Sequence, residues 1–159
     1  MTESEGLAHV RELDQAEIAA VLRRNHVGRI GYTRRRKIDI QPVLYVYEEG
    51  WIYGRTSYGS KYESIAKTAY QWWPVVFEVD EVEDLFRWRS VLVRGGFYVL
   101  SRGASPEERE SWAHALDQVR TLDPAALGDA DAVPFRSVLF RIAVQEATGR
   151  ESTQPERGA

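Results

Sequence analysis

Six segments of this sequence alternate apolar and polar residues with a period of two, and this alternation constrains the fold more than any other feature. A period of two is typical of half-buried β-strands. Gly95-Gly96, in the middle of the longest such segment, indicates a β-bulge or bend. Because most of the segments are joined by short turns, we expect an antiparallel barrel or sandwich with peripheral helices. The predicted strands are Gly28–Thr33, Ile38–Tyr47, Trp51–Thr56, Pro74–Asp80, Trp88–Leu100 and Arg136–Ala147.

Three helices are predicted from the residues that would cap their N-termini. Asp14 precedes Glu17 by three residues and Ser60 precedes Glu63 by three, and both pairs have the spacing of a capping box. Ser105 is followed by proline and two glutamates, a strong start signal for a third helix.

The length of 159 residues is that of one domain, since a typical domain has roughly 100–200 residues. We expect the folded domain to span residues 11–148. Residues 1–10 read as a flexible lead-in, and the polar residues 149–159 as a disordered tail.

Composition excludes several kinds of chemistry. The chain has no cysteine, which rules out disulfides, thiolate nucleophiles and Cys-type metal sites. Its histidines, His9, His26 and His114, are too scattered to suggest a metal site. We find no signal-peptide pattern and no apolar run of the roughly 20 residues that span a bilayer, and we expect a cytoplasmic protein. A bound cofactor would supply redox chemistry that these side chains lack.

Residues 55–61 carry the strongest local signal for a ligand. They contain two cations, several hydroxyl groups and a glycine, and they lie between a predicted strand end and a predicted helix start. Backbone N–H groups and the helix dipole favour an anion at such a position, so the segment could hold a phosphate. The alternative is an ordinary strand–helix turn with a solvated Lys61 and a capping Ser60.

Other candidates each have a structural alternative. Trp88 and Ser90 could border a flat aromatic ligand, and Tyr45 could line a pocket, although packing within a barrel is the simpler interpretation for Trp88 and for Tyr45. The cations at 34–37 fit a solvated hairpin tip better than a nucleic-acid site, because the net charge is −3 and no aromatic platform lies among them. The carboxylates at 78–84 could hold a metal or act as an acid–base pair, but a solvated edge is the simpler interpretation.

Read in order, these pieces resemble one family. The sequence is similar to the pyridoxamine 5′-phosphate oxidase-like proteins, which are split barrels that bind flavin mononucleotide (FMN), and most similar to their 5-nitroimidazole-resistance branch. The resemblance covers about residues 11–150. The segments that carry it are 27–32, 42–45, 52–61, 77–80, 88–91 and 140–150.

The resemblance implies a six-stranded antiparallel split β-barrel that forms a homodimer, with FMN in clefts at the dimer interface. It assigns the FMN phosphate to Arg55, Thr56, Ser57 and Lys61. It assigns the isoalloxazine wall to Val43, Leu44 and Tyr45, with Trp88 and Ser90 bordering the same cleft. The branch commonly has histidine where this chain has Arg55, which puts nitroimidazole reduction in question.

The implied function is that of an FMN-dependent oxidoreductase. A nicotinamide nucleotide or another small donor would reduce the flavin, which would pass electrons to a small acceptor such as an aromatic or nitro compound. No catalytic side chain is required for this. The alternatives are a non-catalytic flavin protein, acting as a sensor or store, and a protein that binds the deazaflavin F420. Neither a nucleic acid nor a membrane is expected as a partner.

Overall fold

The computed structural model describes residues 6–57, 72–103 and 105–155, which form eight strands and two helices. The helices are α1 (Gln15–Arg24) and α2 (Pro106–Arg120). The strands are β1 (His9–Glu12), β2 (Val27–Arg34), β3 (Lys37–Leu44), β4 (Val46–Glu48), β5 (Trp51–Thr56), β6 (Trp72–Asp84), β7 (Arg87–Val99) and β8 (Val138–Thr153).

The strands form one antiparallel sheet in the order β3-β2-β6-β7-β8-β5-β4, and β1 pairs with the far half of β8. The two edge strands, β3 and β4, are separated by a single residue, Tyr45. Because one residue joins both edges, the sheet must curl, although β3 and β4 do not pair with each other. This curled, open sheet confirms the predicted antiparallel split barrel.

Several strand limits differ from the predicted ones. Tyr45 interrupts the strand expected over 38–47, since its backbone N–H donates to the carbonyl of His26 (2.9 Å) instead of a neighbouring strand. β1 begins within the predicted lead-in, at His9, and β8 continues to Thr153, so residues 149–153 are strand where a disordered tail is expected. Backbone pairing with β1 and β7 holds that segment. Because this pairing involves backbone atoms, a polar segment such as 149–153 shows no side-chain pattern that would predict a strand.

The predicted helix starts that fall on described residues are confirmed. Asp14 caps α1 and forms the capping box with Glu17, and Ser105 caps α2. The helix expected from Ser60 lies outside the described residues. The cations at 34–37 lie at the β2–β3 turn, as predicted. Neither described helix is long and apolar enough to cross a membrane.

Two hydrophobic clusters lie on opposite faces of the sheet. Alternate residues of β5 and β8, such as Ile52 and Phe140, face the barrel interior, where α1 contributes its apolar face. Their neighbours Tyr53 and Leu139 face outward and pack against α2. The outer cluster therefore holds α2 beside the ends of β5 and β8.

A cluster of charged side chains ties α1 to the strands at one end of the barrel. Glu81 on β6 accepts hydrogen bonds from Arg24 (2.7 Å) and Asn25 (2.7 Å) at the end of α1. On β8, the buried Glu151 pairs with Arg11 and Arg89. The bonds of Glu81 join the end of α1 to β6, and those of Glu151 join β1 and β7 to β8.

We predict that Glu81 makes stability pH-dependent in acid. Hydrogen bonds from Arg24 are the main cause that lowers the pKa of Glu81 from 4.5 to about 2. The stabilisation is therefore complete above pH 4.5 and is lost as the pH falls towards 2. Glu81→Gln should lower the free energy of unfolding by about 1–3 kcal/mol at pH 7, because it removes hydrogen bonds to a charged group.

Urea unfolding between pH 7 and pH 2.5 measures this effect. The difference between wild type and Glu81→Gln should shrink as the pH falls below 4.5. The control is Glu83→Gln, on the exposed end of the same strand. A difference that stays constant across this range would contradict the proposed role of the Glu81 charge.

Candidate functional site

A cavity of about 480 Å³ lies where the end of β3 meets the end of β5, and we call it the strand-end cavity. Residues 41–46 and 53–57 form its strand walls. The remaining wall comes from the end of α2 and the segment after it, through Val119, Leu122, Asp123, Val133 and Arg136. Its size falls within the range of about 300–1,000 Å³ that is usual for small-molecule sites.

The strand-end cavity brings together most of the predicted site. Six of the nine predicted residues line it, although the two segments that supply them are apart in sequence. They are Val43, Leu44, Tyr45, Arg55, Thr56 and Ser57. The predicted phosphate ligand Lys61 lies outside the described residues, four positions after Ser57.

The ring of Tyr45 is part of the hydrophobic core, so it is not available to contact a ligand in the strand-end cavity. Its side chain is 1% exposed, and its hydroxyl donates to the carbonyl of Leu22 at 2.7 Å. The ring lies edge-on to Phe77, and burial raises the pKa of the hydroxyl well above its usual value. This differs from the prediction that the Tyr45 side chain borders a flavin ring, because both the ring and the hydroxyl are already engaged.

Arg55 is also engaged by other residues of the protein. Its two terminal nitrogens bind the carboxylate of Asp131 at 2.7 and 3.0 Å, and one of them also contacts Asp123 at 2.9 Å. The Arg55 side chain is 9% exposed and that of Asp131 1%. The sequence predicts Arg55 as a phosphate ligand, but the structure pairs it with two carboxylates. Its main role is therefore to fix the segment after α2.

Asp131 organises that segment from the inside. Its carboxylate also accepts hydrogen bonds from the backbone N–H groups of Val133 (3.0 Å) and Leu127 (2.9 Å). The Arg55 guanidinium, followed by these N–H groups, holds the pKa of Asp131 well below its usual value. The Arg55–Asp131 pair thus holds residues 127–133 against β5, beside the cavity.

Arg136 is a cavity residue that sequence reasoning missed. It is exposed, it lines the strand-end cavity, and its guanidinium lies 6.0 Å from the ring centroid of Phe135. In sequence it heads the last predicted strand, and no motif marks it. Only the folded position of the segment after α2 brings this cation to the same cavity as Thr56 and Ser57.

Trp88 and Ser90 do not line the strand-end cavity. They line a second cavity, of about 570 Å³, beside the β6–β7 turn, together with Val82, Leu85 and Arg150. Among the described residues, this cavity and the strand-end cavity share no lining residue. Within one chain, therefore, Trp88 and Ser90 do not border the same cleft as residues 43–45.

The carboxylates at 78–84 lie on β6, an inner strand between β2 and β7, and not on an edge strand as predicted. Burial, and then the neighbouring Asp80, raise the pKa of Glu78. Arg29 lies 3.7 Å from Asp80 across the sheet surface. In the described part of the chain, no group of three or more acidic or histidine side chains could hold a metal ion.

Comparison with solved structures finds the same fold in several proteins. An FAD-binding protein from Mesorhizobium loti is 26% identical, with a TM-score of 0.69 over 91% of this chain and 99% of the other. The FAD-binding protein from Mycobacterium smegmatis is 22% identical (TM-score 0.61, covering 89% and 99%). A candidate 5-nitroimidazole antibiotic resistance protein from Bacteroides thetaiotaomicron is 18% identical (TM-score 0.67, covering 92% and 90%).

Comparison with curated proteins gives no match. The sequence profile of the pyridoxamine 5′-phosphate oxidase family, in contrast, matches residues 14–151, which is most of the chain. The match includes both strand walls of the strand-end cavity and the segment after α2. The chain therefore belongs to the pyridoxamine 5′-phosphate oxidase family.

Proposed function

We propose that this protein binds FMN in the strand-end cavity and acts as a flavin-dependent oxidoreductase on a small acceptor, with a nicotinamide nucleotide or another small electron donor. The observation that carries the proposal is the meeting of residues 43–45 and 55–57 around one cavity in a chain of this family. The Mesorhizobium loti protein, with the same fold, is FAD-binding, which supports a flavin as the ligand.

The residues present fit a flavin phosphate at one side of the cavity. Thr56 and Ser57 offer hydroxyl groups, and Arg136 offers a guanidinium that forms no ion pair with the described residues. Lys61 would add a second cation. Arg55 would act indirectly, by holding the segment that carries Arg136.

The other side of the cavity fits an apolar ring system. Val43 and Leu44 line it, and the Leu44 side chain is 58% exposed. A bound flavin would supply the redox chemistry by accepting a hydride and passing electrons on. The protein's part would be to hold the ring between apolar side chains and to exclude water from one face.

One observation favours the alternative of a non-catalytic flavin or F420 protein. Several of the polar side chains in the cavity are already committed: the Tyr45 hydroxyl to Leu22, and Arg55 to Asp123 and Asp131. With these two groups engaged, neither is free to donate a proton to a substrate, and this is what a site that only binds the cofactor would show. Reduction of the bound cofactor distinguishes the two functions.

We further propose that the protein is a homodimer in which Trp88 and Ser90 of a second copy complete the cleft. Large apolar side chains are exposed on β3 and around the β6–β7 turn, among them Ile38 (84%), Ile40 (66%) and Leu85 (77%). Ile38 and Ile40 lie two positions apart on β3 and so share one face of the strand, and a contiguous exposed apolar patch commonly marks a protein–protein interface. In the proposed dimer, a second copy covers these side chains and places its second cavity beside the strand-end cavity of its partner.

An absorbance titration of the purified protein with FMN, FAD and F420 tests the proposed cofactor. We expect a shifted, saturable flavin spectrum with FMN, and bleaching when NADH or NADPH is added without oxygen. A saturable spectrum that neither NADH nor NADPH bleaches would support the non-catalytic alternative. The absence of any shift with all three cofactors would overturn the proposal.

Lys61→Ala is expected to weaken FMN binding at least about tenfold, because it removes a charge-assisted phosphate contact. Trp88→Ala should weaken binding by removing a ring contact from the second copy. Flavin fluorescence measures both affinities, and Lys37→Ala at the β2–β3 turn is the matched control. Unchanged affinity in Lys61→Ala would contradict the assigned phosphate site.

Mixed dimers test whether the site is shared. A dimer of one Lys61→Ala chain and one Trp88→Ala chain would contain one intact site and one doubly altered site. Such dimers, isolated with two different tags, should regain wild-type affinity at half the sites. If no site regains affinity, then Trp88 and Lys61 do not act across the interface.

A further inference from the structure

A third cavity, of about 710 Å³, lies on the outer face of the sheet, between α2 and the end of β7. Its walls come from residues 99–102, from Trp112, Leu116 and Arg120 on α2, and from residues of the segment 127–138. No described residue lines both this cavity and the strand-end cavity. It is therefore separate from the proposed flavin site, and we call it the outer cavity.

Two arginines give the outer cavity its positive charge. The Arg102 guanidinium stacks on the indole of Trp112, 4.7 Å from the ring centroid. Arg120 is anchored by its Nε, which donates to the carbonyl of Ala126 at 2.9 Å. Neither forms an ion pair with a described acidic residue. Both are thus positioned by neighbours, while their terminal N–H groups have no described acceptor.

Asp131, the one carboxylate among the described lining residues, does not cancel this charge. Its side chain is 1% exposed, and it is already paired with Arg55 and with two backbone N–H groups. The hydroxyl groups of Ser101 and Ser137 add further polar groups to the lining. The outer cavity is therefore a polar pocket with two available cations, above the apolar side chains of Leu116 and Leu127.

We propose that the outer cavity is a second ligand site that binds a small phosphate-bearing anion between Arg102 and Arg120. Arginine binds phosphate through parallel N–H donors, and stacking on an aromatic ring leaves those donors free at the edge of the guanidinium. Since Trp112 and Arg120 already hold fixed positions, little side-chain freedom is lost on binding. This site does not depend on the flavin proposal, because its residues are different.

Titration with pyrophosphate tests the site. The experiment uses the whole chain without added FMN, because FMN itself carries a phosphate and would compete for the outer cavity. Isothermal calorimetry measures the affinity. The indole N–H resonance of Trp112, assigned by comparison with Trp112→Phe, shows where the anion binds.

We expect saturable binding that shifts the Trp112 resonance and weakens at least tenfold in Arg102→Gln and in Arg120→Gln. The control is Arg109→Gln, an exposed arginine on the same helix. Arg120 also anchors the Ala126 carbonyl, whereas Arg102 is exposed, so Arg102→Gln separates binding from folding. The absence of saturable binding, or equal weakening in Arg109→Gln, would overturn the proposal.

Discussion

Replacing Arg55 with methionine is expected to lower the free energy of unfolding by about 3–5 kcal/mol, one of the two largest effects we predict. The substitution leaves the carboxylate of Asp131, which is 1% exposed, without its cation. A buried charge without a partner costs far more than the pair itself contributes. Equilibrium unfolding in urea at pH 7 measures the loss.

The matched control is Arg29→Met, whose guanidinium contacts Asp80 at 3.7 Å on an exposed surface. Arg29→Met should lower the free energy of unfolding by less than about 1 kcal/mol, because exposed ion pairs contribute little to stability. Asp131→Asn added to Arg55→Met should recover about 1 kcal/mol or more, because the amide is neutral and still accepts a backbone hydrogen bond. Equal stability of Arg55→Met and wild type would show that the pair is not buried.

The pH dependence of Arg55→Met has a definite sign. In the wild type the pKa of Asp131 lies below its usual 3.8, so its stabilisation is present above that pH and is lost in acid. In Arg55→Met the unpaired charge of the Asp131 carboxylate destabilises the fold, and protonation of that carboxylate removes the destabilisation. The stability difference between the two proteins should therefore narrow as the pH falls below about 4.

The second large effect is expected for Gly95→Ala, with a loss of about 3 kcal/mol in the free energy of unfolding. A Cβ at position 95 would lie 1.8 Å from the carbonyl oxygen of Ala143 on the paired strand β8. Because the obstacle is backbone, β7 and β8 would have to separate locally. The register of these strands shifts between Arg94 and Gly95, where a bulge is predicted, but the unpaired residue is Gln145 on β8.

Gly96→Ala is the matched control for position 95. Its Cβ would meet the edge of the Trp72 side chain at 3.1 Å, and a side chain can move aside. We expect a change of less than about 1 kcal/mol, measured in the same urea titrations. If the two alanine variants are equally stable, the close approach of β7 and β8 is not what requires glycine at 95.

Most of the fold could be predicted because strand alternation and helix caps are local signals. Ile52 and Phe140 alternate with Tyr53 and Leu139, and each pair faces one side of the sheet. β1 and the end of β8 could not be predicted, since backbone pairing holds them. Tyr45 could not be recognised as an interruption, because its hydrogen bonds join residues distant in sequence.

The candidate site was predicted in part. Residues 43–45 and 55–57 do meet at one cavity, as the family resemblance implies. The assignment of Arg55 as a phosphate ligand stays a prediction, while in the structure two carboxylates from the segment after α2 bind its guanidinium. Arg136 was missed because that segment carries no motif. The assignment of Lys61 as a phosphate ligand stays a prediction.

By itself, the sequence determined the family, the antiparallel strands and the segments that form the cavity. Strand periodicity and helix capping depend on residues close together in the sequence, and the order of the motifs can be read without knowing which residues are in contact. Only the tertiary structure decided which charges are available: Arg55 is paired, whereas Arg102, Arg120 and Arg136 form no ion pair with described residues. Charge pairing depends on distances between segments far apart in the chain, which no local pattern encodes.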